Sequence, residues 1–250
     1  MKTLILFWHG LGDNILATPA IKLFKLSTGD YLGWTTLKRF RSARLFQFNP
    51  YIDRIHYVSD AWNDFDSYEE GVQAVTKEAY SIADRCGYDR VVVVNHKSSK
   101  KHKILRTAEE LGVDLCGDYA TETYLGNDAD KDIALPDKFY FFHGRTGLSI
   151  KDLPLGFVRN FIAKMGYEQY PIVSPDFTWK ETDFPILLSA QCMKRAQGIF
   201  VADSVMYHMA HSLGLSVDLA YFARGPEVWR QVRPLHTGAI ERHILFDLRT

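Results

Sequence analysis

The chain has 250 residues, 46% hydrophobic and 24% charged, proportions that suit a folded globular protein and exclude a disordered or low-complexity one. Thirty Lys and Arg balance thirty Asp and Glu, so no global field draws the protein to nucleic acid or membrane, and any polyanion must be met by a local patch. Three cysteines, Cys86, Cys116 and Cys192, lie far apart without CxxC or Cys/His spacing, which argues against zinc and redox pairs and reads as reduced, buried thiols of a cytosolic protein. Aromatic residues, at 14%, fit a well-filled core and ring-lined clefts.

In chain order, Thr3–Trp8 is a continuous apolar run of the kind a buried parallel strand needs. It stops at His9-Gly10 with no small-residue cleavage site, and nothing approaches the roughly 20 apolar residues of a membrane span. The expected location is therefore the cytoplasm, with the inner membrane face as a further option. His9-Gly10-Leu11-Gly12 reads as a tight turn whose glycines let backbone amides approach a ligand, and Asp13 as the N-cap of a helix over Asn14–Leu26 disturbed by Pro19. Strands are expected at Tyr31–Thr36, Ile52–Val58 and Arg90–Asn95, and helices at Lys38–Phe46, Tyr68–Cys86 and Lys101–Leu111. Gly117–Lys138, rich in Gly, Asp and Asn, reads as a linker.

A second alternating series follows. It comprises strand Phe139–His143, loop Gly144–Pro154, helix Leu155–Met165, a short strand near Pro171–Ser174 and helix Phe184–Ala196. Strand Gly198–Ala202, helix Ser204–Leu213, strand Ser216–Phe222 and an apolar tail Arg242–Leu248 that packs back complete it. The pattern predicts an α/β protein of two doubly wound, Rossmann-like domains, residues 1–130 and 131–250, facing a ligand cleft at the carboxyl ends of their strands.

Three segments carry candidate chemistry. A carboxylate at the mouth of the first turn, Asp13, repels phosphate but can accept a proton from a sugar hydroxyl. Asp is also a common N-cap, so the turn alone leaves both roles open. The glycine spacing is not G-x-G-x-x-G, which weakens a dehydrogenase reading. At the junction Ala202-Asp203-Ser204, free amides and the helix dipole favour an anion such as a diphosphate, with His208 one turn further on. The loop from Gly144 to Lys151 brings Thr146 and a lysine to a strand end, a set suited to phosphate oxygens, without being a Walker A loop.

Together these segments resemble a known family. Gly12-Asp13 followed by Thr18-Pro19-Ala20 and Leu23-Phe24-Lys25, the segment Asn49-Pro50-Tyr51-Ile52-Asp53, and Asp203-Ser204 followed by His208-Met209-Ala210 and Ser212-Leu213-Gly214 are similar to heptosyltransferase motifs. Phe222, Gly225-Pro226 and Trp229 fall where that family has a phenylalanine-glycine-proline loop and a tryptophan. The family is glycosyltransferase family 9, inverting enzymes of lipopolysaccharide core assembly with the two-domain GT-B fold. The chain departs from it at Ala202, at Val205 (glycine in the family), in a phosphate loop one residue longer, and in a short second half around Tyr170–Asp183.

The resemblance implies Asp13 as general base and an acceptor-side first domain. It implies Thr146, Lys151, Asp203, Ser204 and His208 around a nucleotide-diphosphate-sugar donor of ADP-heptose type, with Gly10, Gly12 and Gly144 offering backbone. It also implies neither a cofactor nor a metal, since amides, hydroxyls and a cation would meet the diphosphate. Basic stretches around Arg41 and around Lys97, Lys100 and Lys101 are candidate acceptor contacts, although a solvated helix face explains either one alone. An anionic glycan such as lipopolysaccharide core is the first acceptor candidate. A phage-type transferase acting on modified DNA bases, a non-catalytic nucleotide-sugar binding protein, and a GT-B-type epimerase are the alternatives. The retained Asp13 speaks against a silent protein; Val205 speaks for one.

Overall fold

The computed structural model describes residues 1–60, 67–96, 100–125, 134–174, 186–236, 238 and 240–246. The chain divides into two units, Met1–Tyr124 and Leu125–Thr250.

The first unit runs β1 (Lys2–Leu6), α1 (Leu11–Leu16), α2 (Thr18–Thr28), β2 (Tyr31–Leu37), a 3-10 turn (Lys38–Ala43), β3 (Arg54–Val58), α3 (Tyr68–Cys86), β4 (Arg90–Val93) and α4 (Lys103–Leu111). Its sheet has the order β3-β2-β1-β4, and every pairing is parallel. Residues 4–8 are fully buried because the central strand is covered on both faces. Leu4, Leu6 and Trp8 pack with Val75, Ala79 and Ile82 of α3. That helix holds the bounds its pattern predicts: Ser67 Oγ accepts from the Glu70 amide (3.2 Å), and Gly87 ends it in the left-handed region at φ 67°.

The helix expected over Asn14–Leu26 is instead two. Pro19 opens α2, where its missing N–H costs nothing, and Ala17 lies between the two helices. The helix expected over Lys38–Phe46 is only the short 3-10 turn, closed by Arg44. Strand β3 starts two residues later than the sequence suggests, and β4 ends at Val93, before Asn95.

The second unit runs β5 (Tyr140–His143), a 3-10 turn (Ser149–Lys151), α5 (Leu155–Lys164), β6 (Ile172–Val173), α6 (Ile186–Arg195), β7 (Gly198–Ala202), α7 (Val205–Ser212), β8 (Leu219–Phe222), α8 (Pro226–Val232) and β9 (Ile244–Phe246). Its sheet, also all parallel, has the order β6-β5-β7-β8-β9. Tyr140, Phe142 and Phe200 pack with Val158 and Ile162 of α5 in its core. The apolar tail docks as β9, an added edge strand, and just before it Glu241 accepts from Tyr207 Oη (2.6 Å) and Trp229 Nε1 (3.3 Å). Residues 247 and 248 of the expected tail, parts of the expected linker, and 175–183 of the short region lie outside the described residues.

All three cysteines are free, and Cys192 is buried, but Cys116 is exposed, against the expectation of three buried thiols. Its backbone, at φ 47°, is set by a turn in which the Cys116 amide donates to Asp114 Oδ1 (3.0 Å), and the turn faces water. Among the described residues, no helix is long and apolar enough to cross a membrane.

Candidate functional site

In the first unit the polar residues gather where β1 and β4 end. The N-cap of α1 is Gly10, not Asp13; Asp13 lies in the first turn, Gly12 inside the helix, and no side chain caps it. The apolar register begins at Leu11, three residues earlier than a cap at Asp13 would place it. Asn14 holds the strand end instead, donating from Nδ2 to Gly10 O (2.8 Å) and accepting from Trp34 Nε1 (3.1 Å).

Released from capping, Asp13 pairs with the Lys103 ammonium at the start of α4, which donates to it from 90 residues away. Only 17% of the Asp13 side chain and 28% of Lys103 is exposed, so water screens this pair weakly. Beside it the rings of His9 and His96 stack at 4.4 Å, 7° from parallel. His9 Nε2–H donates to Val94 O (3.0 Å). Thr107 Oγ1 donates to Lys103 O (2.9 Å) and so accepts from His96 Nε2–H (2.8 Å), leaving the buried His96 Nδ1 without a hydrogen bond among the described residues.

Burial holds both imidazoles neutral, lowering His9 and bringing His96 down to about 3. Burial pushes the Asp13 carboxyl up, but the Lys103 ammonium, with His9 and His96, outweighs it and holds Asp13 well below the ordinary carboxylate range. One ligand atom each from His9, Asp13 and His96 lies within 4.8 Å of the others. Lys103 already supplies the positive charge at Asp13. A divalent ion held by these three atoms would need that pair to open.

In the second unit the site is built where β5 and β7 end. Ser204 caps α7, accepting from the Met206 amide (3.3 Å), and His143 Nδ1 lies 3.3 Å from its hydroxyl. Asp203, only 7% exposed, pairs with Lys151 Nζ at 2.7 Å and with Arg224 Nη2 at 3.5 Å. Lys151 also donates to the Asp203 carbonyl oxygen (3.2 Å). The short 3-10 turn brings Lys151 back over β7, and the loop that carries it is pinched shut by the Leu153 amide donating to Gly144 O (2.9 Å). A Cβ on Gly144 would stand 2.2 Å from the Leu153 carbonyl oxygen. Gly144 thus serves close packing of the loop.

Thr146 turns into its own loop: its hydroxyl donates to Leu148 O (2.6 Å) and its amide to Asp152 Oδ1 (2.7 Å). His208 is buried one turn into α7 against the Tyr207 ring, and Val205 is the first residue of that helix. The structure therefore brings Lys151, Asp203 and Ser204 together and adds Arg224 and His143, which the sequence reading passed over. Arg224 sits immediately before the Gly225-Pro226 pair, a signal that could have found it.

The acceptor candidates scatter. Lys101 pairs with Glu109 (3.1 Å), and Arg106 with Glu109 and Glu110, so that stretch is largely a neutralised helix face. Lys100 is exposed, and Lys97 lies outside the described residues. Arg41 lies over the Tyr57 ring, 5.4 Å from its centre.

No protein-family model and no curated protein matches the sequence. Solved structures do. An Escherichia coli heptosyltransferase, WaaC, with ADP-2-deoxy-2-fluoro heptose superposes with a TM-score of 0.65 at 15% identity, over 96% of this chain and 92% of that one. A glycosyl transferase family 9 protein of Veillonella parvula gives 0.62 at 14% identity, over 97% and 85%. TibC, an iron-containing dodecameric glycosyltransferase of enterotoxigenic E. coli, gives 0.55 at 11%, over 88% and 57%. With identities of 11–15%, what this chain shares with the family 9 heptosyltransferases that the motifs resemble is their fold.

Proposed function

We propose that the protein is a glycosyltransferase that moves a sugar from a nucleoside-diphosphate donor of ADP-heptose type to a hydroxyl of an anionic glycan, with inversion and without a metal. The observation that carries this reading is the Lys151–Asp203 pair, nearly buried beside the Ser204 cap of α7 at the carboxyl end of a parallel strand. A lysine held there by a carboxylate, with Arg224 alongside, offers the positive charge a leaving diphosphate needs, and the amides opening α7 add hydrogen bonds.

Asp13 is the base of the proposed reaction. In the resting pair Lys103 keeps it ionised but weakens it as a proton acceptor; as the acceptor binds, the ammonium shifts towards the acceptor's own negative charge, restoring basicity where the hydroxyl sits. The acceptor oxygen then bonds to the anomeric carbon, the carbon–oxygen bond to the diphosphate breaks, Asp13 takes the hydroxyl proton, and the nucleoside diphosphate leaves.

The test is calorimetric titration with ADP-, UDP-, GDP- and CDP-sugars, in EDTA and again in excess Mg²⁺, followed by a transfer assay. Metal-independent binding of one nucleotide, and turnover abolished in Asp13→Asn with binding kept, are the expected results. No binding of any nucleotide refutes the reading. Binding without turnover in the wild type makes the protein a nucleotide-sugar binder.

A further inference from the structure

The first unit also holds a cavity that neither Asp13 nor Lys103 lines. Its volume is about 210 Å³, below the range of drug-sized sites and close to that of one sugar residue. Asn14, from the helix that carries Asp13, lines it together with Phe40, Arg41, Arg44, Gln47 and Tyr57; no acidic residue does.

Its charge is left uncompensated. Of the cations on the same 3-10 turn, Lys38 pairs with Glu78 (3.9 Å) and Arg39 with Asp60 (3.5 Å). Arg41 and Arg44, which line the cavity, have no carboxylate partner among the described residues. Tyr57 steadies the Arg41 guanidinium from below. Arg44 holds a left-handed backbone, φ 51° and ψ 22°, a conformation that is costly for a side chain with a Cβ. A glycine would sit there without strain.

We propose that this cavity binds a phosphorylated sugar residue of the acceptor, with Arg41 and Arg44 gripping its phosphate and Phe40 and Tyr57 meeting the sugar face. The inference rests on the transferase reading, in which the acceptor hydroxyl meets Asp13 on the same helix. Paired guanidinium forks match phosphate oxygens, and aromatic faces suit the C–H side of a pyranose. Two arginines around one small cavity are too few and too local for nucleic acid, which needs a track of cations along its backbone.

The experiment is calorimetric and NMR titration of the full chain with glucose 6-phosphate, glucose, inorganic phosphate and a single-stranded oligonucleotide. Wild type, Arg41→Gln, Arg44→Gln and Arg44→Gly are compared, with ADP binding measured in each. The expected pattern is that glucose 6-phosphate binds at least about tenfold tighter than glucose or phosphate, and each variant weakens it about tenfold while ADP binding stays unchanged. Arg44→Gly should lose affinity and yet melt a degree or two higher, about what relief of a left-handed backbone supplies. Equal affinity for phosphate and glucose 6-phosphate would overturn the sugar subsite. So would no glucose 6-phosphate binding with ADP binding intact, an outcome that leaves the donor reading standing. Tighter oligonucleotide binding that the same variants abolish would assign the cavity to nucleic acid instead.

Discussion

Replacing Lys103 by Met removes the full charge paired with Asp13 while keeping the length of the stem. Two unit charges about 4 Å apart at an effective dielectric of about 20 attract by about 4 kcal/mol, or about 3 pKa units. The 17% and 28% exposure of the two side chains admits little screening, so a rise of about 3 units is expected. Burial, the strongest influence on this carboxyl, then acts unopposed by a full positive charge and drives the group to or above the ordinary value of about 3.9.

The measurement is carboxyl ¹³C NMR of Asp13 from pH 7 down to about 2.5, the signal assigned with Asp13→Asn. The wild-type signal should stay that of a carboxylate throughout, that of Lys103→Met should titrate near or above pH 4, and Lys103→Arg should behave as wild type. The sign carries over to stability. A folded value below the unfolded one means the unfolded chain binds more protons in between, so the wild type loses stability as pH falls from about 5. Lys103→Met should lack that loss. A carboxyl still ionised at pH 3 in Lys103→Met would refute the account, since something other than the Lys103 ammonium would then be holding the charge against burial.

The remaining predictions touch other parts of the molecule. Since the folded His96 value is about 3 against about 6.5 unfolded, acidification below pH 6.5 should lower Tm, and His96→Phe should flatten that limb in a melting series. Gly144→Ala should cost about 2 kcal/mol in urea unfolding and weaken ADP binding, because the new methyl meets the Leu153 carbonyl and unseats the loop that presents Lys151. Among the described residues, Lys151→Met leaves Asp203 with the half-exposed Arg224 as its cation, so ADP affinity should fall at least about tenfold in calorimetry and stability should drop as well. Ser204→Ala should remove about 1 kcal/mol of capping from α7 with a smaller effect on ADP.

Most of the fold could be read from local pattern. Strand β7 and helix α3 have the bounds their sequences announce, the one as an unbroken apolar run and the other through a Ser-x-x-Glu start and a glycine stop. Failures came where one residue has two structural uses. Pro19 can disturb a helix or open one, and it opens α2. Asp13 can cap or stay free, and Gly10 takes the cap. Helix α8 and strand β9 were too short for a periodic signal. At the site, Asp203 and Ser204 were legible because a strand–helix junction is local. The pairing of Lys103 with Asp13, and of Arg224 with Asp203, was not, since it depends on which helix start the parallel crossovers bring to which strand end.

The edge position of β9 also bears on how the protein is made. Residues 1–124 form a unit with its own sheet, so that unit can fold while the rest is still being synthesised. The second sheet has no such head start. Until residues 244–246 emerge, β8 presents an unpaired edge, and Tyr207 and Trp229 lack the Glu241 carboxylate that takes their hydrogen bonds. A ribosome paused before that point would display a nearly complete domain with an open, sticky margin, the form of this chain most exposed to chaperones and to pairing with another copy of itself.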